Sequence, residues 1–299
     1  MTSFILALAV LSFPSNQSTP DWHTLESAHF KIYYADDSKA LAATLPAIFE
    51  NEHSNLSTKL GLRLDVPTQV LLAPTQEKFN ELTGHLIPDW GEGIADASRN
   101  LIILKTDNLL QKRDRLLKLV RHEVAHILIG RGVAQPETLP RWFNEGIAIY
   151  FSYDEDFAGG SAISKAILSN SVVPLNEIEE LLDFQSEKAR LAYEESYSAI
   201  LLLEEEFGFA GITEIIARLK IGQGFDQAFE DQTGHTLAEF ELDWLRYAER
   251  KYRWRFLLDF ETYLWIGILL LFVSGFAAIK WRNRQTVKRW EEEDRLGKV

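Results

Sequence analysis

The residues best placed to do chemistry are His122-Glu123-Val124-Ala125-His126. On a helix, side chains four apart share a face, so the two imidazoles can converge on one metal ion, and neutral imidazole suits zinc. Glu123 is turned about 100° from His122. From there its carboxylate can act as a base on a water held in an open coordination position. Such a site needs a third protein ligand. Glu145 supplies one after eighteen intervening residues, within Arg141–Tyr150, RWFNEGIAIY. The competing reading is a surface helix with two solvated histidines. Against it, Leu116–Ile129 (LLKLVRHEVAHILI) is apolar around the motif, as a buried helix is. Two His and a Glu in a core without an ion would carry a heavy desolvation cost.

The elements that must position these groups follow from the patterning. The motif helix runs to a stop at Gly130 and Gly132. His29–Tyr34 (HFKIYY) alternates like a strand, Gln69–Leu72 (QVLL) is a short apolar run before Pro74, and NLIIL within Gly93–Leu104 forms another strand. Beyond Asn176 the pattern is almost wholly helical. Strands first and helices later imply an α+β fold, a small sheet packed on a mainly helical C-terminal half. Between Asp21 and Trp254 there is no repeat or low-complexity segment.

The combination of HExxH with a downstream Trp-x-Asn-Glu-Gly-x-Ala resembles the gluzincin metallopeptidases. It is especially similar to the aminopeptidase N branch and to peptidase MA-like domains of bacterial membrane proteins. Trp142, Asn144, Glu145, Gly146 and Ala148 carry the match. The resemblance implies a zincin-like domain with Zn2+ on His122, His126 and Glu145, and with Glu123 as catalytic base. Tyr193–Gly208 looks like the family helix whose Tyr stabilises the oxyanion, which points to Tyr193. Lys and Gly of that pattern are Glu195 and Ser196 here, and the interval from Glu145 is shorter. Tyr197 is the alternative, and both tyrosines as core aromatics on one helix face is another. The amine-binding Gly-x-Met-Glu-Asn strand is missing in its usual form, since the only Met is Met1. Gly93-Ile94-Ala95-Asp96 stands in that region, with Asp96 expected as a turn carboxylate rather than an amine receptor. Exopeptidase specificity therefore lacks support, while an edge strand here could pair with an extended peptide.

Composition bounds the remainder. The chain has 299 residues and no Cys, which excludes disulfide scaffolds, Cys-ligated zinc, iron–sulfur clusters and cysteine proteases. Its net charge is −13, so nucleic acid is not an expected partner. Thr262–Ile279 holds 18 residues without a formal charge, about 27 Å of helix, with Tyr263, Trp265 and Trp281 at its ends. Phe4–Phe13 has the length of a signal-peptide core but no Lys or Arg before it. The expected layout is a signal peptide over 1–19, the peptidase domain over 20–255, a transmembrane helix over 256–280 and a basic cytoplasmic tail over 281–299. Basic residues flank the span on both sides, so the signal peptide decides the topology, with the domain outside the cytoplasm and the C-terminus inside.

The function expected from all this is a membrane-anchored zinc metallopeptidase that acts on peptides or proteins. Two alternatives stay open: a membrane-tethered, zinc-bearing binding or assembly module, and a cytoplasm-facing protease with an uncleaved N-terminus. His23, His29, His53, His85 and His235 have no partner at ligand spacing in the sequence and read as surface or turn residues. The Gly91/Gly93 and Gly222/Gly224 pairs read as turns.

Overall fold

The computed structural model describes residues 22–107, 109–255 and 260–297. The apolar run Phe4–Phe13 lies outside the described residues. Five strands occupy the first part of the chain: β1 (His23–Glu26), β2 (Phe30–Tyr34), β3 (Thr68–Ala73), β4 (Gly93–Asp96) and β5 (Leu101–Lys105). Interleaved with them are helices α1 (Lys39–Ala42), α2 (Leu45–Leu60) and α3 (Gln76–Thr83). The remainder is helical: α4 (Arg113–Gly132), α5 (Arg141–Ser152), α6 (Glu155–Ala158), α7 (Ser161–Ser169), α8 (Ser186–Lys220), α9 (Phe225–Thr233), α10 (Leu237–Tyr252) and α11 (Phe260–Leu296). This is the α+β architecture that the patterning predicts.

The strands form one mixed sheet in the order β1-β2-β3-β5-β4. β2, β3 and β5 run parallel, while β1 and β4 pair antiparallel at the two edges. Parallel neighbours need crossovers, and α2 joins β2 to β3. The centre of the sheet is covered on both faces. Ile102 and Leu104 of β5 join the main core, whereas Leu101 and Ile103 join a smaller core with Phe79 of α3. That is why LIIL reads as a continuous apolar run rather than an alternating one. By contrast β2 alternates, with Phe30, Ile32 and Tyr34 buried.

Helices α2 and α4 pack together, with α2 against β2 and α4 against β4, and α5 lies between α4 and α8. The α2–α4 contact contains a charge pair. Glu52, 1% exposed, accepts from Arg121 Nε at 2.8 Å and from a second guanidinium nitrogen at 3.2 Å. Arg121 also lies over the Tyr153 ring, 5.6 Å from its centroid. The residue next to His122 is thus held from two sides. Removing one partner of a buried pair strands the other charge, so Glu52→Ala is expected to cost on the order of 3 kcal/mol. A urea titration that left the midpoint unchanged would contradict this bracing.

α8 is broken at Gly208 (φ 67°, ψ 170°), so the tyrosine-bearing helix ends where the sequence places its closing Gly. α10 opens with a capping box between Thr236 and Glu239. One helix among the described residues is long and apolar enough to cross a membrane. It lies in α11, and its apolar window is unburied. The same helix runs past 280, where the apolar stretch gives way to charged residues. The helix continues through the basic tail, because Arg, Gln, Lys and Glu are good helix formers and no Gly or Pro interrupts 280–296.

Candidate metal centre

α4 places His122 and His126 one turn apart, with their Nε2 atoms 3.0 Å from each other. Val120, Val124, Ala125, Ile127 and Leu128 bury the sides of that helix, which fixes the face on which the imidazoles stand. Glu145, on the first turns of α5, brings Oε2 to 3.5 Å from His122 Nε2 and 3.4 Å from His126 Nε2. One ligand atom from each of the three residues therefore converges on a single point. Glu145 is 8% exposed, and Oε2 has no hydrogen-bond partner of good geometry. Two imidazole nitrogens and a carboxylate oxygen, each able to offer a lone pair to one point, form an arrangement that a cation satisfies.

The neighbours set the chemistry of each ligand. His126 Nδ1 lies 3.1 Å from Asn144 Oδ1, and an amide oxygen can only accept. The neutral imidazole therefore keeps its hydrogen on Nδ1 and leaves the Nε2 lone pair for a metal. Asn144 has this positioning role although the sequence reading gave it none. Burial disfavours a charge on His126, but the Glu145 carboxylate outweighs it and holds the imidazole up at about 9. Glu145 is itself held far below the usual carboxylate range, because the two histidines overcome the cost of burial.

A proton that must leave makes metal uptake pH-dependent. His126 is raised above its ordinary 6.5, so in the metal-free protein its pairing is fully present below 6.5 and is lost as the pH rises through about 9. Apparent zinc affinity is expected to climb through that window and level off above it. Calorimetric titration of the full chain with zinc, in two buffers of different ionisation heat, should register proton release at pH 7. Equal heats in both buffers would contradict a protonated His126.

Glu123 is 3% exposed, and its Oε2 has no partner. Burial pushes its carboxyl up, the two histidines pull it down, and Glu145 pushes it up again. What lies against it is Gly93. A Cβ at that position would overlap Glu123 Oε1 and come within 2.9 Å of its Cδ. The sequence reading took Gly91/Gly93 as a turn. In the structure Gly93 opens the edge strand β4, and the absence of a side chain lets that strand pass beside the carboxylate.

Tyr193 stands on α8, which approaches α5 closely because Gly146 has no side chain. A Cβ there would strike the Ser196 carbonyl and lie 2.6 Å from Ile200 Cγ1. The Tyr193 ring meets His122 edge-on at 6.5 Å and is flanked by Trp90 at 6.1 Å and Phe157 at 5.2 Å. Burial, then Glu145 and Glu123, keep its phenol well above 10, so it stays a donor at neutral pH. Tyr197 is oriented elsewhere, with Glu204 as its charged neighbour. Glu195, at the family's Lys position, is buried and accepts from the Val173 amide at 3.1 Å. Arg141 places a guanidinium nitrogen 3.9 Å from Glu145 Oε1.

The other candidates sort as follows. Asp96 accepts from Ser98 Oγ at 2.6 Å and from the Arg99 amide at 3.1 Å, which makes it the turn carboxylate expected. His23 and His235 form surface pairs with Asp36 and Asp243. His85 sits in a turn with φ 59°. His29 and His53, read from the sequence as lacking partners, are brought together with Glu50. Spacing could not reveal this, since His29 and Glu50 are 21 residues apart.

A profile described as Peptidase MA superfamily matches residues 51–249, well over half of the chain and inclusive of both motifs. The Uncharacterized protein YhcO of Bacillus subtilis (strain 168) is 23% identical over 269 residues, covering 82% of this chain and 79% of that protein. Among solved structures, yeast LTA4 hydrolase in complex with bestatin aligns with a TM-score of 0.43 and 18% identity, over 81% of this chain and 39% of that one. Native yeast LTA4 hydrolase gives 0.47 and 15% over 81% and 38%. The chain thus spans about two fifths of the length of those two structures. With its profile match extending across the motif helix, the Glu145 helix and Tyr193, the chain belongs to the Peptidase MA superfamily.

Proposed function

We propose that this chain is a membrane-anchored, zinc-dependent metallopeptidase. The observation that carries the reading is the convergence of His122 Nε2, His126 Nε2 and Glu145 Oε2, within 3.0–3.5 Å of one another, beside the buried carboxylate of Glu123. The orphaned Oε2 of Glu145 and a donor set of two imidazoles and a carboxylate fit zinc. Held by those three residues, the ion would supply Lewis acidity, acidifying a water and polarising a peptide carbonyl. Glu123 takes a proton from the attacking water and returns it to the leaving amine. Tyr193 donates a hydrogen bond to the oxyanion that develops on the carbonyl. β4, at the sheet edge beside Glu123, offers unpaired backbone groups to an extended peptide.

The apolar stretch of α11 supports anchoring in a bilayer, with the basic residues after it at the headgroup level. Phe4–Phe13 as a signal peptide would place the domain outside the cytoplasm and the C-terminus inside. A C-terminal tag reached by a membrane-impermeant label on intact cells would reverse this topology. The activity itself is tested with the full chain in detergent, zinc-loaded and incubated with a complex peptide mixture. New peptide ends that vanish on chelation and return with zinc are expected. Internal cuts would mark an endopeptidase and single-residue trimming an exopeptidase. No zinc-dependent ends would favour a zinc-bearing binding module instead. Tyr193→Phe keeps the ring and loses the donor, so kcat should fall on the order of 100-fold with KM little changed. An unchanged kcat would remove Tyr193 from the mechanism.

A further inference from the structure

The second cluster of potential ligands involves none of the residues used above. We propose that His29, Glu50 and His53 form a second divalent-metal site, of the zinc-binding kind, that clips α2 to the start of β2. Glu50 and His53 are three apart on α2 and so project from one side of the helix. His29 comes from the turn just before β2, and its position is fixed independently of any metal. Its amide donates to Glu50 Oε1 at 2.7 Å, while its Nδ1 lies 2.7 Å from Glu50 Oε2. One ligand atom from each of the three residues lies within 4.8 Å of the other two.

The His29–Glu50 contact alone would be an ordinary ion pair. His53 is what that account leaves over. It is 6% exposed, its Nε2 has no hydrogen-bond partner, and its ring lies 4.0 Å from the ring of His29. A buried imidazole nitrogen without a partner, set beside another imidazole and a carboxylate, is a lone pair that a metal ion would satisfy. Two imidazoles and one carboxylate favour a borderline ion such as zinc over the hard cations. The position suggests the consequence. The same helix carries Glu52, which holds Arg121 beside His122, so a clip on α2 would stiffen the support of the first centre.

The test counts metal and does not depend on peptidase activity. The full chain in detergent is equilibrated with buffered zinc, freed of excess by gel filtration, and assayed for zinc per chain and for thermal midpoint. Two zinc ions are expected in the wild type, and one in the double variant His126→Ala/Glu145→Ala. His29→Ala should also hold one ion, and its melting temperature should fall further below the wild type in zinc than in chelator, where only the ion pair to Glu50 is lost. His29 and Glu50 are both partly exposed, so Glu50→Gln serves as a second variant and should give the same count. A zinc count that both His29→Ala and Glu50→Gln leave unchanged would overturn the proposal and reduce the cluster to an ion pair. A single ion lost in His29→Ala but kept in the double variant would uphold this site and overturn the first centre instead.

Discussion

Glu123→Gln is expected to retain its zinc while turnover falls on the order of 1,000-fold or more. Glutamine has nearly the volume of glutamate, so the space against Gly93 stays filled and β4 need not move. The three atoms that converge on the ion belong to other residues, so metal affinity has no reason to collapse. What disappears is the carboxylate placed beside the centre to accept a proton, and general base catalysis typically contributes 100- to 10,000-fold. The check is a paired measurement, zinc content by mass spectrometry and initial rate on whichever peptide the wild type cuts. Loss of zinc in this variant would mean that Glu123 is a ligand. Retention of both zinc and rate would mean that some other group removes the proton.

Glu145→Ala should act the other way, by emptying the centre. Two imidazoles on one helix remain, but a site with two protein ligands cannot hold the ion against dilution. The loss of affinity should exceed the 10- to 100-fold typical of changes outside the ligand shell, and activity should follow the metal. A second readout separates this from simple misfolding. Without the carboxylate, burial is opposed only by the charge of Glu123 and the contact to Asn144, so the proton affinity of His126 falls. Any residual zinc binding at pH 7 should then proceed with less proton release than in the wild type. Full zinc occupancy in this variant would place the third ligand elsewhere.

What could be read from the sequence was what is local in it. His122, Glu123 and His126 sit within one and a half turns of a helix, so their joint geometry follows from helical spacing alone. Glu145 was reachable because it lies on the next helix, within a recognisable segment. β2, β3 and β5 showed themselves through buried apolar residues. β1, HTLE, is mostly exposed, and β4 is four partly buried residues opening with Gly, so neither carries a pattern. Residues that act through tertiary contact were not legible. Gly93 matters because of Glu123, Glu52 because of Arg121, and His29 because of a helix 21 positions on. That the basic tail is helical was not legible either. Its charges mark the end of an apolar stretch, but charge does not end a helix.

That continuous helix has a mechanical consequence. Thirty-seven residues at about 1.5 Å each make a rod of roughly 55 Å. A hydrocarbon layer takes up about 30 Å of such a rod. If α11 crosses a bilayer as proposed, roughly 25 Å stands clear of the lipid as a stiff spar rather than a slack tether. Arg282 and Arg289, seven residues apart, fall near one edge of the spar, with a bearing fixed relative to the buried turns. A partner that gripped that edge could twist or draw the whole rod as one piece, and the motion would reach the far side of the membrane undamped.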